Sequence, residues 1–290
     1  MKNLKDLLQE SIARTNSFSD TPQLDAQVLL AHVIQKPRAW VIAHPEYDVT
    51  ETEKNRIDLA LQKLEAGEPL PYILGKWEFF GLKFDITNDV LIPRPETELL
   101  VEKAIAWLQA SPKGRTMVDI GTGSGAIAVS IATHVPDVRI LATDISPAAL
   151  QVAKHNAGKY NVQNQIDFLE CDLLPKSRVK LKTSDLRLSS FDLICSNPPY
   201  IPTETLHQLP IFGREPTIAL DGGTDGLDIY RRLFKIAPDW LAPQGIMLFE
   251  TEASLGVQIL SLACDTFSDV SIHLHQDLAG HDRLLEIMFL

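Results

Sequence analysis

The sequence has few cysteines and no long apolar run, and both shortages narrow the class of protein. Its 290 residues include three cysteines that lie far apart along the chain, Cys171, Cys195 and Cys264. An odd set at such spacing forms neither a disulfide framework nor a paired metal-binding motif. No apolar stretch approaches the length that a bilayer requires, and the first residues lack the apolar core of a signal peptide. We therefore expect a reduced, cytoplasmic protein without membrane association.

Positive charge is also scarce. Lysine and arginine number 27 against 38 aspartates and glutamates, which gives a net charge of −11. Proteins that grip a phosphate backbone gain binding energy by releasing counterions from a basic surface. The acidic balance therefore argues against stable nucleic-acid binding. The biased segment 176–190 carries five basic residues against one acidic residue, and it is expected to be a solvated surface loop.

Glycine is absent before Gly67, and this early region follows a helical repeat instead. Apolar residues recur at helical spacing, as in Leu4, Leu7, Leu8 and Ile12, and again in Ile57, Leu61 and Leu64. This pattern predicts a small all-α N-terminal domain over residues 1–72. Alternating apolar and polar residues on both sides of Gly81 then predict a β-hairpin linker over residues 73–92.

Residues 93–290 are predicted to form a second domain, in which strands and helices alternate. Its predicted strands are residues 116–121, 139–145, 166–171, 191–197, 245–251, 271–277 and 284–290. Nearly continuous apolar strands separated by helical segments indicate a parallel sheet covered on both faces. The last two strands have only a short connection and should be antiparallel. The predicted fold class is α/β, with a seven-stranded, mostly parallel, Rossmann-like sheet and helices on both faces.

A glycine-rich loop follows the first strand of this sheet. Asp119 precedes the run from Gly121 to Gly125, in which every second residue is glycine, and Asp144 ends the second strand. Such a loop brings the backbone close to a ligand, and an acid at the second strand suits ribose hydroxyls. These features fit a dinucleotide or an S-adenosyl-L-methionine site. Asp119 favours the latter, because an acid in the leading strand suits a ligand that carries an ammonium group.

The fourth predicted strand ends on Asn197-Pro198-Pro199-Tyr200. Turn formation alone would account for Asn-Pro and Pro-Pro pairs, but this strand should end beside the cofactor pocket. A planar nitrogen is a poor nucleophile because its lone pair is delocalised, and two acceptors on its N–H groups would turn the lone pair toward a sulfonium methyl group. The Asn197 side-chain oxygen and the Pro198 carbonyl are the predicted acceptors. The prolines fix the backbone, and Tyr200 offers a packing face.

Together these motifs resemble the class I S-adenosyl-L-methionine-dependent methyltransferases that act on planar amino nitrogens. Five segments spread over nearly the whole chain narrow the resemblance to the HemK family, the peptide chain release factor glutamine methyltransferases. They are LIPRPETELLVE, DISPAALQVAKHNA, SNPPYIP, EPTIALDGGTDGLDIYR and DLAGHDR. The resemblance implies methylation of the glutamine side-chain amide in the Gly-Gly-Gln loop of release factors, with S-adenosyl-L-homocysteine as the other product. It also implies that the helical domain helps to grip the release factor.

The motifs and the resemblance together give the predicted site. The predicted catalytic residues are Asn197, Pro198 and Tyr200, and Pro199 joins them in holding the substrate. The predicted cofactor-binding residues are Asp119, Gly121, Thr122, Gly123, Ser124, Gly125, Asp144, Asp172, Leu173 and Asn197.

Three features depart from the family pattern. Leu173 stands where family members can carry an aromatic residue beside the adenine, although an aliphatic side chain can still pack there. Thr251-Glu252 stand where a glycine is common, and the 176–190 loop is longer than usual. Arg94, between two prolines, fits either a ligand contact or a structural ion pair.

Other functions remain open at the level of sequence. Adenine-N6 methyltransferases of DNA or RNA use a similar tetrapeptide, although the acidic charge disfavours that substrate. A nicotinamide-dependent oxidoreductase would use the glycine loop but would leave Asn197 to Tyr200 without a role. A non-catalytic module that binds release factors is the third alternative. His273 and His275 share a strand face without a third ligand nearby, so no metal site is expected.

Overall fold

The computed structural model describes residues 3–110, 116–177 and 190–289. The chain divides into two compact units, Met1–Lys76 and Trp77–Leu290. Residues 178–189, most of the basic segment singled out above, lie outside the described residues. Within the described ranges, no helix is both long enough and apolar enough to cross a membrane.

The first unit is built from five helices joined by turns, with one isolated antiparallel bridge between Asn3 and Asp48. Its helices are α1 (Leu4–Thr15), α2 (Pro22–Ile34), α3 (Arg38–Ala43), α4 (Glu51–Glu65) and α5 (Leu70–Leu74). Signals in the local sequence mark where two of these helices begin. Pro22 occupies the first turn of α2, and Thr50 forms a capping box with Glu53 at the start of α4. The apolar faces meet in one core that includes Leu4, Leu29 and Leu61, each at most 1 % exposed. The predicted helical repeat therefore marks the core-facing side of these helices.

The second unit begins with a hairpin and continues as alternating strands and helices. The hairpin strands are β1 (Lys76–Phe79) and β2 (Leu82–Asp85). The strands of the large sheet are β3 (Thr116–Ile120), β4 (Arg139–Asp144), β5 (Ile166–Glu170), β6 (Phe191–Ser196), β7 (Leu241–Glu250), β8 (Val270–Gln276) and β9 (Asp282–Phe289). The helices are α6 (Glu98–Ala110), α7 (Ala126–His134), α8 (Pro147–Lys159), α9 (Thr203–Leu206), α10 (Asp228–Ile236) and α11 (Gly256–Thr266).

The strand order in the sheet is β5-β4-β3-β6-β7-β9-β8. The first five strands in this order run parallel, and β9 is antiparallel to both of its neighbours. Consecutive residues point to opposite faces of a strand, yet Met117 to Ile120 are all buried, as are Leu193 to Ser196. Both faces of the central strands are therefore covered, as the continuous apolar runs predicted. The predicted fold class is confirmed.

One strand differs from the sequence prediction. β7 begins at Leu241 rather than at residue 245, and its register against β6 shifts between the pairs made by Phe191 and Leu193. Gln244 has a positive φ of 62° at this irregularity. The early part of β7 contains Pro243 and Gln244, so it does not form the continuous apolar run from which the strand was predicted.

The order in which successive strands are added to the sheet changes direction at β3. From β3 it proceeds outward through β4 and β5, and then it returns to form β6 on the other side of β3. The carboxyl ends of β3 and β6 therefore diverge into loops on opposite sides of a crevice. In open α/β sheets this crevice is where ligands bind.

Candidate active site

The strand register brings the three predicted motifs to one edge of the sheet. Ile120, the last residue of β3, pairs with Thr143 on one side and with Ser196 on the other. The residues that follow these three are Gly121, Asp144 and Asn197. The glycine loop, the acid and the tetrapeptide thus begin side by side, although up to 76 residues separate Ile120 from Ser196 in sequence.

The glycine loop is shaped by backbone conformations that favour glycine. Gly121, Gly123 and Gly125 have φ values of 73°, 55° and 81°. The N–H groups of Gly121 and Thr122 both donate to the Thr143 carbonyl at 2.9 Å. A Cβ on Gly125 would lie 3.2 Å from both Cα and Cβ of Ala153 in α8. The loop needs glycine for its turn and for the close packing of α8 behind it.

Asp119 lies beneath this loop with no exposed surface. Its Oδ2 accepts a hydrogen bond of 2.6 Å from the Thr122 hydroxyl, while its Oδ1 is buried and has no hydrogen-bond partner among the described residues. Burial, with a smaller contribution from the nearby Asp144 carboxylate, raises the pKa of Asp119 to about 7. An unpartnered buried carboxyl oxygen favours the approach of a positively charged group.

Asp144 closes the loop from the neighbouring strand. One carboxylate oxygen accepts the Gly123 N–H at 2.9 Å, and the other accepts the Ser146 N–H at 2.8 Å. Two bonds leave acceptor capacity on both oxygens, because a carboxylate offers about four lone-pair positions. Asp144 is therefore held in one orientation and can still receive the hydroxyl groups of a ribose.

Asp172 and Leu173 follow β5 at the outer end of the same edge. Leu173 has a φ of 62°, and its carbonyl accepts the Thr143 hydroxyl at 2.7 Å. Asp172 forms an ion pair of 2.5 Å with Arg232. Leu173 also packs partly against the core of the sheet, so a fixed apolar side chain stands where the sequence predicted the adenine contact.

A cavity of about 260 Å³ opens between these elements. Eight residues that the sequence predicted for the site line this cavity, namely Gly121, Gly123, Asp144, Asp172, Leu173, Asn197, Pro198 and Pro199. Sequence reasoning missed other lining residues, among them Val90, Leu91, Ile145, Pro216 and Ile218. Four predicted cofactor residues are not among its described lining residues, namely Asp119, Thr122, Ser124 and Gly125. These four are buried under the loop, where they support its shape.

A second, smaller cavity of about 120 Å³ adjoins the first. Its walls include Leu91, Tyr200 and Ile211, and it shares Asn197 with the larger cavity. Burial raises the pKa of the Tyr200 hydroxyl far above its ordinary value, so the Tyr200 side chain stays neutral. Asn197 therefore stands between two chambers, one on the side of the glycine loop and one with a largely apolar lining.

The side chain of Asn197 has a defined orientation. Its Nδ2 donates to the Thr97 hydroxyl oxygen at 3.2 Å. The described residues supply no hydrogen-bond donor to Asn197 Oδ1 or to the Pro198 carbonyl. Among the described residues, both predicted acceptors thus lack a donor, Asn197 where the two cavities meet and Pro198 on the wall of the larger one.

Glycines fix the backbone behind the tetrapeptide. A Cβ on Gly222 would lie 2.7 Å from the Tyr200 Cα, a distance that no side chain tolerates. Ile201 donates to the Leu220 carbonyl at 3.0 Å, and the Gly222 N–H donates back to the Ile201 carbonyl at 2.8 Å. The glycines of the 215–231 segment therefore allow a short parallel bridge that holds the chain just after Tyr200.

Arg94 forms an ion pair, one of the two roles left open by the sequence. Its guanidinium donates to Glu215 Oε1 at 2.5 Å, and Glu215 Oε2 accepts the Ile92 N–H at 3.0 Å. Glu215 is buried, and Arg94 also lines the smaller cavity. This pair ties the loop before α6 to the segment after α9, and both contribute walls to the two cavities.

Thr251 and His275 were also singled out in the sequence. Thr251, which replaces a common glycine, is buried, and its N–H donates to the Arg283 carbonyl at 2.8 Å. Its side chain is accommodated without a positive φ. His275 donates to or accepts from Glu286 at 2.9 Å. In the part of the chain that the structure describes, no three His, Cys, Asp or Glu side chains are grouped as metal ligands.

Comparisons with known proteins cover both units. A model of the PrmC N-terminal domain matches residues 6–75, and a model of the methyltransferase small domain matches residues 95–209. The release factor glutamine methyltransferase of Moorella thermoacetica is 38% identical over 97% of this chain and 96% of its own. That of Bordetella pertussis is 39% identical over 98% of both chains.

Solved structures support the fold. A methyltransferase from Pyrococcus furiosus superposes with a TM-score of 0.50 at 18% identity, over 83% of this chain and 98% of its own. The hMettl16 catalytic domain, solved with an RNA hairpin, gives a TM-score of 0.52 at 15% identity, over 83% of this chain and 82% of its own. At such low identity these likenesses concern the architecture alone.

Proposed function

The chain belongs to the release factor glutamine methyltransferase family, and we propose that it methylates the side-chain amide nitrogen of the glutamine in the Gly-Gly-Gln motif of peptide chain release factors. The observation that carries this proposal is the position of Asn197, with a free side-chain oxygen at the junction of two cavities. The family assignment made from the sequence motifs is confirmed by relatives that match nearly the full chain.

The larger cavity is the proposed site of S-adenosyl-L-methionine, which when bound supplies an electrophilic methyl group. Asp144 receives the ribose hydroxyls, Leu173 packs on the adenine beside Asp172, and the backbone of Gly121 and Gly123 faces the ligand. Asp119 supports the positive end of the cofactor from beneath the loop, because its unpartnered oxygen gains from a nearby cation. The other loop residues, Thr122, Ser124 and Gly125, act by fixing the turn.

The smaller cavity is the proposed site of the glutamine side chain. Asn197 Oδ1 and the Pro198 carbonyl accept its two amide N–H groups, which places the nitrogen lone pair toward the cofactor and stabilises the positive charge that develops on nitrogen. Pro199 fixes the turn, and Tyr200 packs along the flat amide. The methylated amide cation is a strong acid and loses its proton without a dedicated base.

The release factor itself is the proposed partner. Residues 6–75 match the PrmC N-terminal domain, and we assign this helical unit, followed by the hairpin linker, to gripping the release factor. The net charge of −11 supports a protein substrate over a nucleic acid. A release factor substrate also supports a cytoplasmic location for the protein.

A labelling experiment tests the proposed function. Purified protein is incubated with methyl-labelled S-adenosyl-L-methionine and an unmethylated release factor, and in parallel with a release factor whose Gly-Gly-Gln glutamine is alanine. Label should enter only the first protein. N197A should lower the rate by at least about 100-fold, because it removes a hydrogen-bond acceptor from the transition state.

The matched control variant is N164A, since Asn164 is an exposed asparagine in the turn before β5. It should transfer methyl groups at the wild-type rate. Duplex DNA and RNA are included as alternative substrates. Label on adenine with none on the release factor, or equal rates for N197A and wild type, would refute the proposal.

A further inference from the structure

We propose that Thr97 and Glu250 are positioning residues for Asn197, and that the hydroxyl of Thr97 sets which end of the Asn197 amide faces the substrate. The inference rests on the proposed function, since it concerns the acceptor that holds the glutamine amide. It starts from two buried polar side chains that the chemistry described above does not use.

Both residues are buried next to the tetrapeptide. Thr97 is 4 % exposed and lies in the turn just before α6, and Glu250 is 2 % exposed at the end of β7. Ser196 pairs with Phe249 across β6 and β7, so Asn197 and Glu250 follow at the same level of the sheet. Thr97 is about 100 residues from Asn197 in sequence and comes to it from a separate element.

We infer that the three side chains form a chain of hydrogen bonds with one direction. Asn197 Nδ2 donates to the Thr97 hydroxyl oxygen at 3.2 Å, and the Thr97 side chain lies near enough to the Glu250 carboxyl group to lower the pKa of that group. A threonine hydroxyl has a single hydrogen to donate and two lone pairs that accept. If its hydrogen goes to Glu250, the oxygen can only accept, and only the NH₂ end of Asn197 satisfies it.

This direction decides the chemistry at the other end of the amide. With its NH₂ group turned to Thr97, Asn197 presents Oδ1 to the cavity junction, where it accepts an N–H of the substrate. In the flipped orientation, the NH₂ group of Asn197 would face an N–H group of the substrate amide, and the two donors would repel each other. Glu250 thus acts on the substrate through Thr97 and Asn197.

Burial gives Glu250 an unusual setting. Desolvation, with a smaller contribution from the nearby Glu96 carboxylate, raises the pKa of Glu250 to about 7. Its Oε2 has no hydrogen-bond partner among the described residues. A proton on that free oxygen leaves the other oxygen able to accept from Thr97. The polarity of the hydrogen-bond chain therefore does not depend on a particular charge state of Glu250.

Kinetics of three variants test the role. T97V replaces the hydroxyl with a methyl group of similar size, and T97S keeps the hydroxyl. We expect T97V to lower kcat by about 10- to 100-fold, because a misplaced catalytic group has effects of that order. T97S should stay within about threefold of wild type, and E250Q, whose amide can present either end to Thr97, should fall between them. The affinity for S-adenosyl-L-methionine and KM for the release factor should not change.

T266V is the matched control, because Thr266 makes the same kind of hydroxyl contact on the exposed face of α11, at 2.7 Å from the Leu262 carbonyl. A wild-type kcat for T97V would overturn the inference. A loss as large in T97S as in T97V would also overturn it, since packing of the methyl group would then be the cause. Should T97V fail to fold, E250M decides, because it removes the acceptor for the Thr97 hydroxyl and should lower kcat as T97V does. A wild-type kcat in E250M would contradict the proposed chain of hydrogen bonds.

A second readout separates this inference from the proposed function. Side-chain amide signals of asparagine are recorded by ¹H–¹⁵N NMR, and the Asn197 pair is assigned by its loss in N197D. T97V should shift that pair toward the values of a free amide, whereas T97S should not. No shift in T97V would refute the positioning role whether or not methyl transfer occurs. An inactive wild-type protein with the expected shift would refute the proposed function alone.

Discussion

Replacing Asp119 by asparagine should stabilise the protein, and the gain should grow with pH. Asp119 is completely buried and has a pKa of about 7, against 3.8 for an ordinary aspartate. Between these two values the folded protein holds a proton that the unfolded chain has released. Raising the pH over this range therefore favours unfolding, and the penalty stops growing once the pH passes about 7.

The size of the effect follows from the shift in pKa. One pKa unit corresponds to about 1.4 kcal/mol, so the raised pKa of Asp119 costs about 4 kcal/mol of folding free energy at pH 8 and about 2 kcal/mol at pH 5, where the folded protein keeps the proton. The asparagine of D119N has no charge to bury, and its side-chain oxygen can still accept the Thr122 hydroxyl. The stability of D119N relative to wild type should thus increase by about 3 kcal/mol from pH 5 to pH 8, a range that spans two units below the raised pKa.

Urea unfolding at the two pH values measures this difference directly. D239N serves as the matched control, because Asp239 is exposed and loses the same charge on substitution. Its stability relative to wild type should be nearly the same at both pH values. A D119N protein whose advantage stays constant or falls as the pH rises would refute the account of Asp119 as a carboxyl group destabilised by burial. D119N should also bind S-adenosyl-L-methionine more weakly, which calorimetry would record.

Two further substitutions probe the loop and the acid beside it. G125A should lower the free energy of unfolding by about 1–3 kcal/mol, because the new Cβ meets Ala153 at 3.2 Å and φ is 81°. G158A, where a Cβ meets nothing within 4 Å, should not be destabilised in the same thermal scan; equal melting temperatures for the two variants would contradict the steric argument. D144N should weaken S-adenosyl-L-methionine binding about 10- to 100-fold by calorimetry, and unchanged affinity would remove Asp144 from the ribose contact.

The fold was largely predictable because its signals are local. Continuous apolar runs marked the strands of the sheet, and helical spacing marked the first unit. The exception is instructive. β7 begins at Leu241, ahead of its apolar run. This early part was missed because Pro243 and the irregular backbone at Gln244 interrupt the pattern that marks a strand. Pairing with β6 there is decided by tertiary contact, and no local pattern reports it.

The site was predictable only in part, for a different reason. Asp144 and Asn197 could be placed at the same edge of the sheet because Asp144 ends one strand and Asn197 directly follows another. Thr97 and Glu215 could not be assigned roles, although both lie in segments that carried the family resemblance. Their partners are 100 and 121 residues away in sequence. Contacts over such distances follow from packing of the whole unit and leave no periodic signal.

The proposed arrangement around Asn197 also gives a reason why the buried carboxyl groups do not contact the substrate amide directly. A carboxylate placed directly against the substrate amide would accept its N–H groups, but it would equally attract cationic side chains such as lysine. A neutral amide oxygen and a backbone carbonyl accept the same N–H groups with less attraction for a full charge. Glu250 is not among the described lining residues of either cavity, so under the proposed mechanism it would orient the acceptor while its own charge stays away from the substrate. We infer that selectivity for a neutral glutamine amide follows from this placement of the charge behind the acceptor.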